Sequence, residues 1–161
     1  MVEFALAIPV LLTLFFMVMD GTLLLFGIGS SLFSAGQGAV LGAQLGNDPT
    51  ADSQIVSTIR GSAVGTTALV TVNEVDIYKL NEDSSGNLTV DSLHYNRYKL
   101  DGSVIGSITW PSTTRNVSHN NSDFMGVTLD YQYSWRTALF GALPGPHLKA
   151  TYYLRLEPQV Y

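Results

Sequence analysis

The chain has 161 residues, a formal net charge of −5 and no cysteine, and its sequence pI is about 4.9. Its eight Lys and Arg residues are spread thinly over the distal part, so the sequence has no basic patch that would bind nucleic acid. Without cysteine, the chain has neither disulfides nor thiolate chemistry. An apolar first quarter precedes about one hundred residues of mixed polarity, which predicts an anchor over residues 1–46 and a head over residues 47–161.

The first predicted element is one long apolar helix over residues 2–46, in which Glu3 and Asp20 are the only charged side chains. At about 1.5 Å per residue this helix extends for about 70 Å, roughly twice the hydrocarbon thickness of a bilayer. It lacks the basic start and short apolar region of a secretory signal peptide. A basic leader removed ahead of residue 1 would account for the missing positive charges. Pro9 removes one helical hydrogen bond, so we expect the axis to bend near Ala5.

Small residues recur at every fourth position in the second half of this helix. Gly38, Gly42 and Gly46 form two overlapping Gly-x-x-x-Gly units, and Ala35 and Ala39 lie on a neighbouring stripe. Each interior glycine costs an isolated helix about 1 kcal/mol relative to alanine, so this half needs a packing partner. We expect that partner to be the same helix of another copy of the chain. The alternative is a flexible linker, which has a similar composition.

Two acids interrupt the apolar surface, and a carboxylate at bilayer depth is costly enough to indicate a function. Glu3 lies in the first turn, where the helix dipole stabilises a negative charge. The functional alternative for Glu3 is pairing with the N-terminal ammonium of a docking copy. Asp20 lies too far from the dipole to benefit, so we expect it in a polar niche between packed helices or near the membrane boundary.

A family resemblance rests on the first residues of the chain. Residues 2–12 read Val-Glu-Phe-Ala-Leu-Ala-Ile-Pro-Val-Leu-Leu and are followed by the acid Asp20. This segment resembles the N-terminal signature of TadE-like proteins, which belong to the tight-adherence (Tad) branch of the type IV pilin superfamily. Residues 36–43 and 148–158 are also similar to the family, whereas the middle of the chain has negligible resemblance. The order Glu-Phe-Ala-Leu-x-x-Pro is the most specific part of the match.

The resemblance implies a prepilin whose short basic leader is cleaved by a membrane prepilin peptidase. It also implies an ATP-driven inner-membrane pilus assembly machinery that extrudes the subunit from the membrane into an extracellular filament. The chain would then be a single-pass membrane protein before assembly and a helical homopolymer afterwards, supporting adhesion of bacteria to surfaces. Glu3 would match the family glutamate that guides docking, although that residue is often the fifth of the mature chain. The alternative is a membrane-anchored minor or tip pilin, or an adhesin, whose head binds a ligand.

The predicted fold class is α+β, with the long N-terminal hydrophobic helix followed by a small antiparallel β-sheet head domain packed on a helix. In the head, residues 51–68 have a helical pattern. Four apolar side chains of this segment lie near one face: Ile55, Val56, Ile59 and Val64.

The rest of the head is predicted to form strands. Residues 69–80, 88–100 and 104–110 are extended segments separated by turns that contain glycine. Residues 127–136 alternate strictly between apolar and polar, and residues 148–156 repeat the pattern as a partner strand. We expect Tyr131 and Tyr133 on the buried face, while Asp130 and Gln132 point outward.

The sequence has no motif of an enzyme or of a cofactor site, so neither is predicted. His94, His119 and His147 are far apart and lack the spacing of metal ligands, and we expect ordinary surface histidines. Residues 81–92 faintly resemble a calcium-binding loop, but Ser92 replaces the glutamate that such a loop requires at its twelfth position. A hairpin turn is the prediction for this segment.

Three asparagines begin the sequence Asn-x-Ser/Thr of a glycosylation acceptor: Asn87, Asn116 and Asn120. Two of them fall in the polar segment 111–123, which is predicted to form an outward surface. Sugars on this segment would be well placed to shield a filament.

Overall fold

The computed structural model describes the backbone of residues 2–157 and the side chains of residues 7–157. Within these residues, the α-helices are α1 (Val2–Leu45), α2 (Ala51–Gly61) and α3 (Ala63–Thr66). The strands are β1 (Val70–Glu82), β2 (Leu88–Tyr98), β3 (Phe124–Tyr133) and β4 (His147–Arg155), and a short 3-10 helix covers Ser112–Thr114. The predicted α+β layout, a long apolar helix followed by an antiparallel sheet and short helices, is confirmed.

The four strands form one sheet in the order β2-β1-β3-β4, and every neighbouring pair is antiparallel. The β1–β2 connection is the predicted hairpin turn. Its carboxylate Asp83 accepts hydrogen bonds from the backbone N–H groups of Ser85 (2.8 Å) and Asn87 (2.9 Å). Turn chemistry of this kind explains the spacing of polar residues that imitates a calcium loop.

The extended segment predicted over residues 104–110 does not join the sheet. Its backbone meets β2 at an isolated bridge between Val104 and Tyr98, beside which the Ile105 N–H donates to the Arg97 carbonyl at 2.8 Å. The backbone N–H groups of Thr109 and Trp110 instead donate to the side-chain oxygen of Asn96, at 3.1 and 2.9 Å. Because Asn96 is fully buried on β2, it holds the segment against the head without a ladder of backbone pairs.

The central strand β3 has the predicted register on its inner face. Leu129, Tyr131 and Tyr133 are buried there. Asp130 lies on the opposite, outer face of the strand as expected, but it is buried there and not open to solvent. The outer face of β3 is covered by neighbouring side chains, and the Asp130 carboxylate accepts a hydrogen bond from Asn73 at 3.1 Å.

The helical segment after residue 50 buries the predicted apolar face, which comprises Ile55, Val56, Ile59 and Val64. It consists of two helices because Ser62 has an extended backbone (φ −81°, ψ −179°) between α2 and α3. Both short helices pack beside α1. The buried face thus forms a single core with α1 and the inner face of the sheet.

The second half of α1 belongs to this core. Gly27 lies beside Tyr133 at one end of β3, and Gly42 lies beside Met125 at the other end. Helix α1 therefore runs antiparallel to β3 along the sheet. The head extends beyond the residues 47–161 assigned to it from the sequence, since the distal half of the anchor helix completes its core.

Candidate functional site

Helix α1 is buried through its small residues and exposed through its large ones. The buried positions of α1 from residue 20 onward are one aspartate together with glycine, serine and alanine: Asp20, Gly27, Ser31, Ser34, Ala35, Gly38, Ala39, Gly42 and Ala43. They follow the three- and four-residue spacing of a single helical face. Small side chains on this face bring the helix close to the aromatic and aliphatic residues of the head.

The opposite face of α1 presents large apolar side chains to the outside, and between residues 7 and 19 every side chain except Phe16 is exposed. Those that are exposed include Ile8, Val10, Leu11, Leu12, Leu14, Phe15, Met17, Val18, Met19, Leu25, Phe26, Ile28, Leu32, Phe33 and Val40. Residues 7–45 form a helix long and apolar enough to cross a membrane, and little of its apolar stretch is buried within the chain. The helix is therefore a candidate anchor whose surface requires lipid or another protein to cover it.

Asp20 marks the point where α1 meets the head. Its carboxylate is fully buried and accepts hydrogen bonds from the backbone N–H groups of Arg136 (3.1 Å) and Thr137 (3.3 Å). The Thr137 hydroxyl donates to the other carboxylate oxygen. The polar niche exists, but the loop after β3 supplies it, and neighbouring helices do not. A sequence pattern cannot reveal partners this far along the chain.

The glycine and alanine stripe has a different partner from the one expected. Ala35 and Ala39 are fully buried in the chain's own core. A Cβ atom on Gly38 would lie 2.8 Å from the Ile59 Cδ1 atom, and one on Gly42 would lie 2.7 Å from the Ile55 Cδ1 atom. The close approach that these glycines permit is therefore between α1 and the head, because the head occupies the space that a second helix would need.

Gly46 plays a separate role at the end of α1. Its φ angle is +56°, a left-handed conformation that glycine adopts readily, and its N–H donates to the Gly42 carbonyl at 3.0 Å. This geometry is that of a helix C-terminal cap. Gly46 therefore ends the helix, and it is buried like Gly38 and Gly42.

Two of the predicted positions lie near the start of α1. The side chain of Glu3 is outside the described residues, so its docking role stays a prediction. Pro9 lies inside α1, which continues through it as a single helix from Val2 to Leu45. The bend expected near Ala5 also stays a prediction.

A buried polar cluster lies between α2 and β2, and the sequence pattern did not predict it. Asp52 accepts hydrogen bonds from Asn96 (2.9 Å) and Tyr98 (2.7 Å) and forms an ion pair with the buried guanidinium of Arg115. The Arg115 guanidinium also lies over the Trp110 ring, 4.5 Å from its centroid. The cluster ties the loop after β2 to the first turn of α2, and we assign it a structural role.

The described residues hold no group of three or more potential metal ligands. His94 lies beside Asp91 at 2.8 Å, and His147 lies beside Asn73 at 2.8 Å. Both are surface pairs. His119 is exposed.

The three sequon asparagines differ in accessibility. Asn87 and Asn120 are exposed, and the Asn87 amide donates to Asp83 at 3.0 Å. Asn116 is only partly exposed, and its amide donates to the Asn121 carbonyl at 2.7 Å. Asn120 therefore has the most open side chain for modification.

Comparisons with protein-family models, with curated proteins and with solved structures found no match. The resemblance to TadE-like pilins therefore rests on the residues quoted above.

Proposed function

We propose that this chain is the structural subunit of an extracellular filament of the Tad type, held in the membrane by α1 before assembly. The observation that carries the proposal is the orientation of α1. Its small residues face the chain's own head, and most of its large apolar side chains face outward, although Leu23 and Leu24 pack partly against the core. A helix that only completed the core of a soluble head would have the opposite arrangement.

The exposed apolar side chains of α1 must be shielded from water both before and after assembly. Covering each one stabilises by on the order of 1 kcal/mol or more, so together they disfavour a free subunit in water. In the membrane, lipid covers the segment before Asp20. Beyond Asp20 the outward face still exposes Leu25 and Phe33, and α1 helices of neighbouring subunits would cover them in a filament with the heads outside.

Beyond the buried Asp20, the helix surface available to neighbours is uncharged. Gly29 lies on this outward surface with no neighbouring atom around its Cβ position. Glycine on an apolar outward face allows a second helix to approach closely. These features support helix-to-helix assembly, with the prepilin peptidase and the inner-membrane assembly machinery as the implied partners.

The test is cysteine cross-linking, which is specific because the chain has no cysteine of its own. We would introduce Leu25→Cys, at an outward position that is 70% exposed, in the bacterium that makes the protein. Filaments sheared from the cells are then treated with a short bis-maleimide linker and separated on a denaturing gel. Covalent dimers are expected, because α1 helices of neighbouring subunits would pack against this outward surface in the proposed filament.

Leu93→Cys is the matched control, since Leu93 lies on β2 and is 76% exposed. It is equally open to a maleimide, but the proposal places it on the outside of the filament, so no covalent dimer is expected. A chain that stays monomeric in the membrane fraction would contradict the proposal. A chain found only as a trace among filaments of another protein would favour the minor or tip pilin.

A further inference from the structure

The loop between β3 and β4, residues 134–146, lies at the end of the head where α1 enters it; we call it the proximal loop. The backbone of this loop donates to Asp20 through Arg136 and Thr137. Gly27, two turns further along α1, contacts Tyr133 at the end of β3. The loop therefore sits beside α1 at the level of residue 20 and not at the far end of the head.

Unlike most surface loops, the proximal loop exposes large apolar side chains. Leu139 and Leu143 are exposed. The Trp135 ring lies 5.3 Å from the Phe140 ring, and its indole N–H donates to the Pro144 carbonyl at 3.3 Å. The loop contains no acidic residue, and its single charged side chain is Arg136, which is exposed.

The level of the bilayer surface follows from Asp20. A carboxylate among lipid tails is costly, and the head covers one side of α1 from Asp20 onward. Lipid can surround the helix completely only before that point, where residues 7–19 expose apolar side chains in nearly every direction. The hydrocarbon region therefore ends next to Asp20, at the level that the proximal loop occupies.

From this juxtaposition we infer that the proximal loop is a membrane-contacting surface, which inserts Leu139 and Leu143 into the bilayer interface before assembly. Tryptophan is the residue type enriched at such interfaces, and Trp135 lies at the start of the loop. The guanidinium of Arg136 fits the anionic phosphate of a lipid headgroup. Asp20 is then a positioning residue that holds the loop at this depth. The inference rests on the membrane-anchoring part of the proposed function.

The chemistry favours lipid over a protein partner as the occupant. The loop adjoins α1 at Asp20, where the fully exposed apolar stretch of the candidate membrane span ends, and it combines leucine and aromatic side chains with a single cation. A loop that binds another protein would be expected to have more polar residues around its apolar centre, because protein–protein interfaces have a polar rim. The alternative occupant is a second copy of the chain that contacts the loop. Measurements in lipid vesicles distinguish it from lipid.

The full-length chain, solubilised and reconstituted at low density into vesicles of phosphatidylcholine and phosphatidylglycerol, is labelled at Leu143→Cys with an environment-sensitive fluorophore. The label is unique because the chain has no cysteine. We expect blue-shifted emission that loses most of its intensity with lipids spin-labelled at the headgroup or in the upper acyl chain. Lipids labelled near the bilayer centre should quench it much less. Leu93→Cys, more exposed in the free chain, should show neither the blue shift nor the quenching.

An attached fluorophore can itself draw the loop into lipid, so the intrinsic tryptophan fluorescence of the unlabelled chain is measured as well. The chain has two tryptophans, and Trp110 is only 1% exposed. Lipids brominated in the upper acyl chain should quench the wild-type fluorescence, and Trp135→Phe should remove that quenching.

Three results would overturn the inference. If the chain stays with the vesicles in alkaline carbonate and neither probe responds to lipid, the loop does not contact the bilayer. If the blue shift depends on protein density and not on lipid quenchers, the occupant is a second copy. If carbonate releases the chain from the vesicles, both this inference and the membrane-anchoring part of the proposed function are wrong. A failure to form filaments, by contrast, would leave these measurements unchanged.

Discussion

The Asp20 carboxylate accepts a hydrogen bond from the hydroxyl of Thr137, a residue 117 positions further along the chain. This contact joins the middle of an apolar helix to the loop after the central strand. It ties the start of the packed half of α1 to the head.

Asp20→Ala should lower the free energy of unfolding of the detergent-solubilised chain by about 1–3 kcal/mol, because three buried donors lose their acceptor. Asp20→Asn should cost less, since its amide oxygen still accepts one or two of these hydrogen bonds. Thermal unfolding and proteolysis of the loop over residues 134–146 measure both effects. A double-mutant cycle with Thr137→Val should give a coupling of about 1 kcal/mol. Additive effects would mean that the two side chains do not act as a pair.

Gly42→Ala should destabilise the head by about 1–3 kcal/mol, because the added methyl group would overlap with Ile55 and Met125. Gly21→Ala is the matched control on the same helix, since nothing lies within 4 Å of its Cβ position. The control should leave stability unchanged or raise it by up to about 1 kcal/mol. Equal effects of the two substitutions on the thermal unfolding midpoint would contradict the close contact at Gly42.

Arg115→Met should lower the free energy of unfolding by about 3 kcal/mol or more, because it leaves the buried Asp52 carboxylate without its charge partner. Arg97→Met removes a partly exposed ion pair with Glu74, in which the two charged atoms are 2.5 Å apart. Its cost should stay below about 1 kcal/mol. Chemical denaturation compares the two variants. A cost for Arg97→Met that equals or exceeds that for Arg115→Met would show that the buried cluster does not hold the loop.

The stability of the head should depend on the ionisation of Asp76. Burial raises the pKa of this carboxyl, and the nearby Glu74 adds to the rise, although Tyr95 donates a hydrogen bond that lowers it. Because the folded-state pKa exceeds the unfolded one, stability is lost as the pH rises through the folded-state value. Asp76→Asn should therefore raise the free energy of unfolding at neutral pH, and its advantage should disappear below about pH 4.

Asp83→Asn is the control of opposite sign. Hydrogen bonds from Asn87 and Ser85 lower the pKa of the Asp83 carboxyl, so its ionised form stabilises the folded state at pH values above the unfolded pKa. This substitution should lower stability at neutral pH, with a smaller difference in acid. Melting curves between acid and neutral pH test both signs. A difference between wild type and Asp76→Asn that is independent of pH would exclude the ionisation of Asp76 as its cause.

The local elements of the fold could be predicted because their signals are periodic and depend on near neighbours. The uncharged run before Asp20 predicts a helix, and the alternation through Leu129 and Tyr131 predicts a strand with one buried face. The turn at Asp83 is also local, since its carboxylate bonds to residues within the same turn. Burial of Ile55 and Ile59 follows from helical spacing alone.

The amino-acid pattern is sufficient to predict that α1 is long, apolar and lined with small residues, whereas the partner that each face meets depends on tertiary packing. The stripe through Gly38 and Gly42 allows close approach to any helix or sheet, and the head fills that space because α2 and β3 are tethered to the same chain. Asp20 requires polar partners wherever it lies, and strand order brings Arg136 and Thr137 to it. Short-range propensities contain no information about such pairings, because contacts between distant residues depend on how all the elements pack together.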